Sequence, residues 1–276
     1  MGRMLEIMEK ILVLGASGTI GTSIYQHLSQ YIEFDVYGTY FSSRIEDSHI
    51  HYFSLENIER IAYLLKEIAP DIVISTMRGD YKKQLDMHNF VAKYLMNNHG
   101  RLLYFSTVNV FDGDLECPHY EDDSVQSVSE YGRFKICCET QLKKIMGNRA
   151  VILRIPFLYG KNSPRMTRIK KEYKSNSLDI CANLICNYVT DVQVARYVEW
   201  IIREKKEGIF HVGTIDLIQE KDFIKILMER LNIEHLALNY VEIAGTMAVL
   251  SKRKDVPYRL TWDVQKVVNY LCNEEE

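Results

Sequence analysis

Cysteine is scarce in this sequence, charge of one sign is not in excess, and no long apolar run is present. Six cysteines among 276 residues are too sparse for a disulfide scaffold, which points to a reducing cytoplasm as the expected environment. They also lack the makings of a metal site. Cys137 and Cys138 adjoin in an expected helix and so point about 100° apart, and Cys117, Cys181, Cys186 and Cys272 have no metal-ligand spacing with histidine. The adjacent pair reads as small helix-packing residues, and no metal is expected. No apolar stretch approaches the ~18 residues that a membrane crossing needs, so no membrane partner is expected. Met1 to Lys10 alternates charged with apolar residues and does not resemble a signal peptide. Gly2 does not open a myristoylation site, because Glu6 stands where serine or threonine belongs. With 34 Lys and Arg against 37 Asp and Glu, the formal charge of −3 argues against a nucleic-acid surface, which is normally basic. Small anionic ligands stay open.

What is present is ordinary globular composition, 47% hydrophobic and 26% charged, in a length that suits one large domain or two interleaved ones. No internal repeat, low-complexity tract or linker interrupts it. Up to Gly160 strands and helices alternate. Ile11 to Leu14 is a continuous apolar run of the kind buried on both faces of a sheet. A helix is expected from Thr19 to Tyr31, with Ile20, Ile24 and Leu28 on one stripe. Further strands are expected over 34–40, 50–53, 71–76, 101–106 and 150–155, and helices over 55–68, 82–98 and 127–146. This alternation predicts an α/β fold with a parallel, doubly wound sheet and helices on both faces. After Gly160 the rhythm changes. Residues 161–177 are polar and basic without a clear period, and helices are expected over 191–205, 220–231 and 262–271, with a strand over 209–212. We expect residues 1–160, with 190–212 returning to them, to form a nucleotide-binding domain. Residues 161–189 and 213–276 are expected to form a smaller substrate-binding domain that closes over a cleft.

Between the first strand and first helix lies Gly15-Ala16-Ser17-Gly18-Thr19-Ile20-Gly21. A dinucleotide pyrophosphate needs close backbone approach and open N–H groups at a helix N-terminus, which glycines in this strand-turn-helix setting permit. Gly15, Ser17, Gly18, Thr19, Ile20 and Gly21 are therefore candidate cofactor contacts. An NAD-binding strand would place a carboxylate about 20 residues beyond the glycines, on the ribose 2′-hydroxyl. Here the end of the second strand carries Tyr40, Ser42, Ser43 and Arg44, while Asp35 lies inside the strand. Arg44 and the serines are suited to a 2′-phosphate, so NADP is expected over NAD.

Tyr131 and Lys135 stand four residues apart, on one helix face. Ser106 and Thr107 end the fifth strand, at the carboxyl edge where open α/β sheets bind ligands. Together they supply the parts of carbonyl chemistry. Lys135 favours the ionised phenol by its charge, Tyr131 exchanges a proton with the substrate oxygen, and Thr107 holds that oxygen.

Four stretches now make a resemblance visible: Gly15 to Gly21, Tyr104 to Gly113 (YFSTVNVFDG), Tyr131-Gly132-Arg133-Phe134-Lys135, and Leu153 to Gly160 (LRIPFLYG). The chain resembles the extended short-chain dehydrogenases/reductases, and among them the dTDP-4-dehydrorhamnose reductase and sugar-nucleotide-binding family. The likeness is good over residues 9 to 160 and loose beyond. It implies a Rossmann domain followed by a nucleotide-sugar domain, with Thr107, Tyr131 and Lys135 as catalytic triad and Lys135 also on the nicotinamide ribose. The implied cofactor contacts extend to Ser75, Thr76, Met77, Ile155 and Pro156, and the resemblance allows a homodimer. The same triad serves reductases, 4-epimerases and 4,6-dehydratases, but the Asp-Glu pair expected of a dehydratase is replaced by Val108 and Asn109. The expected activity is therefore NADPH-dependent reduction of a nucleotide-linked 4-keto-6-deoxysugar, with Tyr131 as proton donor. A nucleotide-sugar epimerase remains an alternative, as does a non-catalytic NADP-binding subunit like the regulatory beta subunit of methionine adenosyltransferase.

The chain also departs from the family. Where an Asn-Ala-Ala stretch usually follows the fourth strand, Ser75-Thr76-Met77-Arg78-Gly79-Asp80 occurs, with Arg78 either touching a phosphate or paired with Asp80. A substrate diphosphate calls for positive charge, offered by Arg165, Arg168, Lys170, Lys171 and Lys174 and again by Lys252-Arg253-Lys254. Arg78, Asn109, His119, Arg165 and Arg168 are the candidate substrate contacts, with Tyr120 beside His119.

Overall fold

The computed structural model describes residues 8–175, 177–234 and 236–272, without the side chains of 172–175. The expectation about Gly2 and Glu6 lies outside these residues. In chain order the elements begin with β1 (Glu9–Leu14), α1 (Thr19–Leu28), β2 (Phe34–Tyr40), β3 (Ile50–Tyr52), α2 (Ile58–Ile68), β4 (Ile72–Ser75), α3 (Tyr81–Asn97) and β5 (Arg101–Thr107). A 3-10 turn, Val108–Phe111, precedes α4 (Glu130–Met146), β6 (Ala150–Ile155), β7 (Phe157–Tyr159), α5 (Pro164–Ser175), β8 (Ser177–Cys186) and β9 (Tyr188–Thr190). Then come α6 (Asp191–Arg203), β10 (Ile209–His211), β11 (Ile218–Gln219), α7 (Glu220–Arg230), β12 (Ala237–Met247) and α8 (Val264–Cys272).

Seven strands form one sheet in the order β10-β6-β5-β4-β1-β2-β3, with parallel pairing from β3 through β2, β1 and β4 to β5. Parallel neighbours need crossovers, and these cover the faces. That is why Ile11, Leu12, Val13 and Leu14 are all fully buried. The chain builds outward from β1 toward β3 and then resumes at β4 on the other side, so the strand order reverses between β1 and β4. Such a reversal opens a crevice at the carboxyl ends of the strands. The α/β doubly wound fold expected from the alternation is the fold observed.

The residues group into two compact units. Among the described residues, one comprises those up to Phe105 together with Ile136–Leu153 and Ala195–Ile209, and the other Ser106–Lys135, Arg154–Val194 and those from Phe210 on. In the second unit β11-β8-β12 form a three-stranded sheet, and β7 and β9 pair in parallel. Its core stacks Tyr188 on Phe223 at 3.7 Å between centroids, with Tyr159, Met166, Leu227 and Val268 around them.

Several boundaries differ from the sequence expectation for identifiable reasons. The helix expected from Leu55 starts at Ile58, because Asn57 caps it by accepting the Arg60 N–H at 3.1 Å. The helix expected from Ser127 starts at Glu130, because Ser129 Oγ accepts the Gly132 N–H at 3.0 Å and Ser127 is bonded elsewhere. The first helix stops at Leu28, short of Tyr31, and the next residue, Ser29, bonds back to the Tyr25 carbonyl through its hydroxyl. Larger departures follow Gly160. The segment read as aperiodic contains α5, in which, among the described side chains, Met166 and Ile169 are the buried hydrophobic ones. Two long strands, β8 and β12, lie where the sequence pattern predicts none. They pair in parallel across some sixty residues, with a bulge between Val241 and Ala244, and most of β12 is exposed.

One buried amide ties the second unit together. Asn187 is fully buried and donates to the carbonyls of Thr214 at 3.1 Å and Val249 at 2.7 Å, while accepting the Val249 N–H at 3.1 Å. Asn187→Ala strands these main-chain groups away from water. Denaturant unfolding should show a loss of about 2–4 kcal/mol, and a change within experimental error would refute this role.

Candidate active site

The glycine turn is built from the main chain. Gly15, at φ +87°, donates its N–H to Thr39 Oγ1 at 3.0 Å, and the Gly18 N–H returns to the Gly15 carbonyl at 3.0 Å. A β-carbon at Gly21 would lie 2.1 Å from the Gly15 carbonyl oxygen, so α1 can approach the turn this closely only with glycine there. The N-cap of α1 is Gly18, which has no side chain to satisfy the first-turn N–H groups, and the first turn contains no acidic residue. A helix start left open and electropositive in this way suits a bound phosphate. Ser17, Thr19 and Ile20 lie on this turn and helix start.

The segment after β4 takes part in the same construction. Thr76 donates from its N–H to the Leu14 carbonyl at 3.0 Å, and its hydroxyl lies 3.0 Å from that oxygen and 3.2 Å from the Gly15 carbonyl. Ser75 is buried, with its hydroxyl 2.6 Å from Nε2 of buried His88. The sequence signalled this segment only as a departure from a family pattern, and the bracing of the glycine turn by Thr76 was not legible in it. Met77 is half-buried and Arg78 exposed, while Asp80 caps α3 by accepting the Lys83 N–H at 2.9 Å.

At the end of β2, Tyr40 is half-buried with its ring against Tyr52, and Ser42, Ser43 and Arg44 are exposed. Asp35 is engaged within the strand, accepting the Tyr37 hydroxyl at 3.0 Å and lying 3.8 Å from His49.

Thr107, Tyr131 and Lys135 all fall in the second unit. Thr107 is the last residue of β5 and is buried; Tyr131 and Lys135 lie on α4. Lys135 is 6% exposed, and its Nζ lies 5.8 Å from the centre of the Tyr131 ring and 5.7 Å from that of Phe134. Tyr131, by contrast, is 37% exposed. The approach of α4 to the 3-10 turn depends on Gly132. A β-carbon there would meet the Asn109 carbonyl oxygen at 2.2 Å and Ser127 Oγ at 2.1 Å.

The loop leading into α4 is organised by Asp112. Its carboxylate accepts the Ser127 hydroxyl at 2.6 Å and the Val128 N–H at 2.8 Å. Burial alone would raise this carboxyl, but the hydrogen bonds from Ser127, Ser129 and Val128 outweigh it and hold Asp112 below the ordinary carboxylate value.

Other expected contacts have visible surroundings. His119 is buried, stacked on Phe111 at 4.3 Å, with Nε2 3.0 Å from the Asp114 carbonyl and Nδ1 3.5 Å from Asp123. Ile155 and Pro156 are buried where β6 ends. Arg165 lies over the Phe157 ring at 4.8 Å, and Arg168, Lys170 and Lys171 are exposed on α5; the Lys174 side chain lies outside the described residues. In the second basic stretch, Lys252 sits over Tyr120 and bonds Asp122 at 3.2 Å, and Arg253 lies over Phe210 and bonds Asp255 at 2.9 Å. Much of that charge is thus already engaged. Among the described residues no cluster of His, Cys, Asp and Glu is arranged to hold a metal, and no helix is long and apolar enough to cross a membrane.

A Rossmann-type α/β protein with a glycine turn after β1 and a Thr/Tyr/Lys set at β5 and α4 is what these features define. The chain belongs to the RmlD substrate binding domain family, whose sequence model matches residues 8–252. It is 26% identical over 113 residues to a dTDP-4-keto-6-deoxy-D-glucose reductase of Streptomyces niveus, covering 40% of this chain and 39% of that protein. It is also 26% identical over 162 residues to methionine adenosyltransferase 2 subunit beta of Bos taurus, covering 55% of this chain and 47% of that one. The chain thus spans about half the length, or less, of these curated relatives. In fold it is similar to a dTDP-4-dehydrorhamnose reductase of Bacillus anthracis solved in complex with NADP. That likeness has a TM-score of 0.77 at 19% identity and covers 97% of this chain and 100% of the other.

Behind Phe111 lies a histidine with a pH consequence. Buried His211 is held down to about 4 from an ordinary 6.5, by burial and then by Arg154, against the opposing pull of Glu121 and hydrogen bonds to the Leu250 and His119 carbonyls. Between these two values the unfolded chain takes up a proton that the folded protein refuses, so stability falls as pH drops through that window. Urea unfolding of the wild type and of His211→Gln across the window should show the steeper fall in the wild type; parallel pH profiles would contradict it.

Proposed function

We propose that this protein is an NADPH-dependent reductase of a nucleotide-linked 4-keto-6-deoxysugar. The observation that carries the proposal is the pairing on α4, where the buried Lys135 ammonium lies 5.8 Å from the Tyr131 ring centre, in the same compact unit as Thr107. Family membership and the similarity to a dTDP-4-keto-6-deoxy-D-glucose reductase support the substrate class.

The residues present fit a dinucleotide. Gly15, Ser17, Gly18, Thr19, Ile20 and Gly21 would hold its pyrophosphate at the uncapped start of α1. Tyr40, Ser42, Ser43 and Arg44 would hold the adenosine end, with Ser75, Thr76, Met77, Ile155 and Pro156 as further contacts. Preference for NADP rests on Arg44 and on the engagement of Asp35 with Tyr37. When bound, NADPH supplies the hydride that reduces the sugar ketone. Tyr131 delivers a proton to the ketone oxygen, Lys135 stabilises the resulting phenolate and binds the nicotinamide ribose, and Thr107 orients the oxygen. Arg78, Asn109, His119, Arg165 and Arg168 are the proposed substrate-side residues. By role, residues 1–160 with 190–212 serve the cofactor, and 161–189 with 213–276 serve the sugar.

A second reading, a non-catalytic nucleotide-binding subunit, draws on the similarity to the methionine adenosyltransferase subunit; it requires a stoichiometric partner on purification.

The test is titration with NADPH and NADH, followed by NADPH oxidation against a panel of nucleotide-linked 4-keto-6-deoxysugars. Tyr131→Phe should lower turnover by a factor on the order of 10² to 10⁴ while NADPH affinity stays within a few-fold. Wild-type turnover in that variant would sink the mechanism, and tight NADPH binding with no turnover on any sugar would favour the epimerase or subunit reading.

A further inference from the structure

The Thr107 hydroxyl is already engaged. Its Oγ1 donates to Asn109 Oδ1 at 2.9 Å and accepts the Asn109 main-chain N–H at 3.2 Å. A threonine hydroxyl has one proton and two lone pairs, so one residue, two positions further on, holds the proton and one of the pairs. The main-chain oxygen of that same residue lies where a β-carbon at position 132 would meet it at 2.2 Å, one residue past Tyr131. Asn109 therefore touches both halves of the site, the hydroxyl that ends β5 and the helix that carries Tyr131 and Lys135.

We propose that Asn109 is the positioning residue of this site, resting on the reductase reading above. Its amide oxygen, together with its main-chain N–H, holds the Thr107 hydroxyl in one rotamer, and its carbonyl sets how closely α4 approaches. A neutral amide suits the first task. A hydroxyl that moves from an amide oxygen to a ketone oxygen exchanges one neutral acceptor for another at little net cost, so the proton is kept ordered without being withheld from substrate. A carboxylate would hold it more strongly.

The test has one arm that needs no turnover. In protein labelled at threonine methyls, three-bond couplings from Thr107 Cγ2 to the main-chain nitrogen and carbonyl carbon report its rotamer. The wild type should show one staggered well, Asn109→Ala, which keeps the main-chain N–H bond but loses the amide oxygen, should show couplings shifted toward averaging, and Asn109→Asp, which keeps an acceptor, should restore the single well. Unchanged couplings in Asn109→Ala, or averaging in Asn109→Asp as well, would overturn the proposal. In the second arm, with a sugar the wild type reduces, Asn109→Ala should lower kcat about three- to tenfold, the worth of one neutral hydrogen bond, with NADPH affinity unchanged. That loss should shrink once Thr107 is alanine, because the part that acts through the hydroxyl is gone. An unchanged kcat, or losses that add in full, counts against it. If the wild type reduces no sugar on the panel, the reductase reading falls and the couplings alone decide the role of Asn109.

Discussion

A main-chain oxygen and a missing β-carbon set the geometry on which the candidate site depends. The carbonyl of Asn109 occupies space that any side chain at position 132 would claim, so α4 reaches the end of β5 only because residue 132 is glycine. Helix position then determines where Tyr131 and Lys135 stand, four residues apart on one face. The Asp112 carboxylate reinforces the arrangement by gathering Ser127 and Val128 just before the helix begins. The seating of α4 is thus specified by main-chain atoms and short polar side chains on both sides of the contact.

Polar groups in the second unit are buried at a cost that their partners offset. Phe111 has His119 stacked on one side at 4.3 Å and Arg154 at 5.0 Å, with the His211 ring edge-on. A guanidinium over an aromatic face needs less water than an ammonium, which is why an arginine can lie at 3% exposure there. The same low-dielectric setting keeps His211 neutral. Packing and charge state are therefore coupled within a few ångströms of the residues that follow Thr107.

Legibility in the sequence followed local signal strength. The alternation of apolar strands with amphipathic helices up to Gly160 leads to the doubly wound sheet observed, because each of those elements has its own period, caps or glycine punctuation. Helix starts shifted by a turn where a capping residue such as Asn57 or Ser129 resembled the helix interior. Beyond Gly160 the signal weakens for physical reasons. The described part of α5 is mostly polar and basic, and β12 is a largely exposed strand whose pairing with β8 depends on residues far away in sequence, which no local window contains. At the site, the glycine turn, Thr107, Tyr131 and Lys135 were readable as motifs. The bracing by Thr76 and the clasp of Asn109 on Thr107 were not, because hydroxyl and amide contacts leave no periodic trace.

The division of the chain carries a consequence for how the protein is made. Neither compact unit is a continuous stretch: the first needs Ala195–Ile209 and the second begins at Ser106. On a ribosome that releases the N-terminus first, the seven-stranded sheet lacks β10 until most of the polypeptide has emerged. Domain-by-domain completion during synthesis is thus closed to this topology. The edge of β6 that pairs with β10 in the finished sheet therefore stays without its neighbouring strand until residues 209–211 have been made.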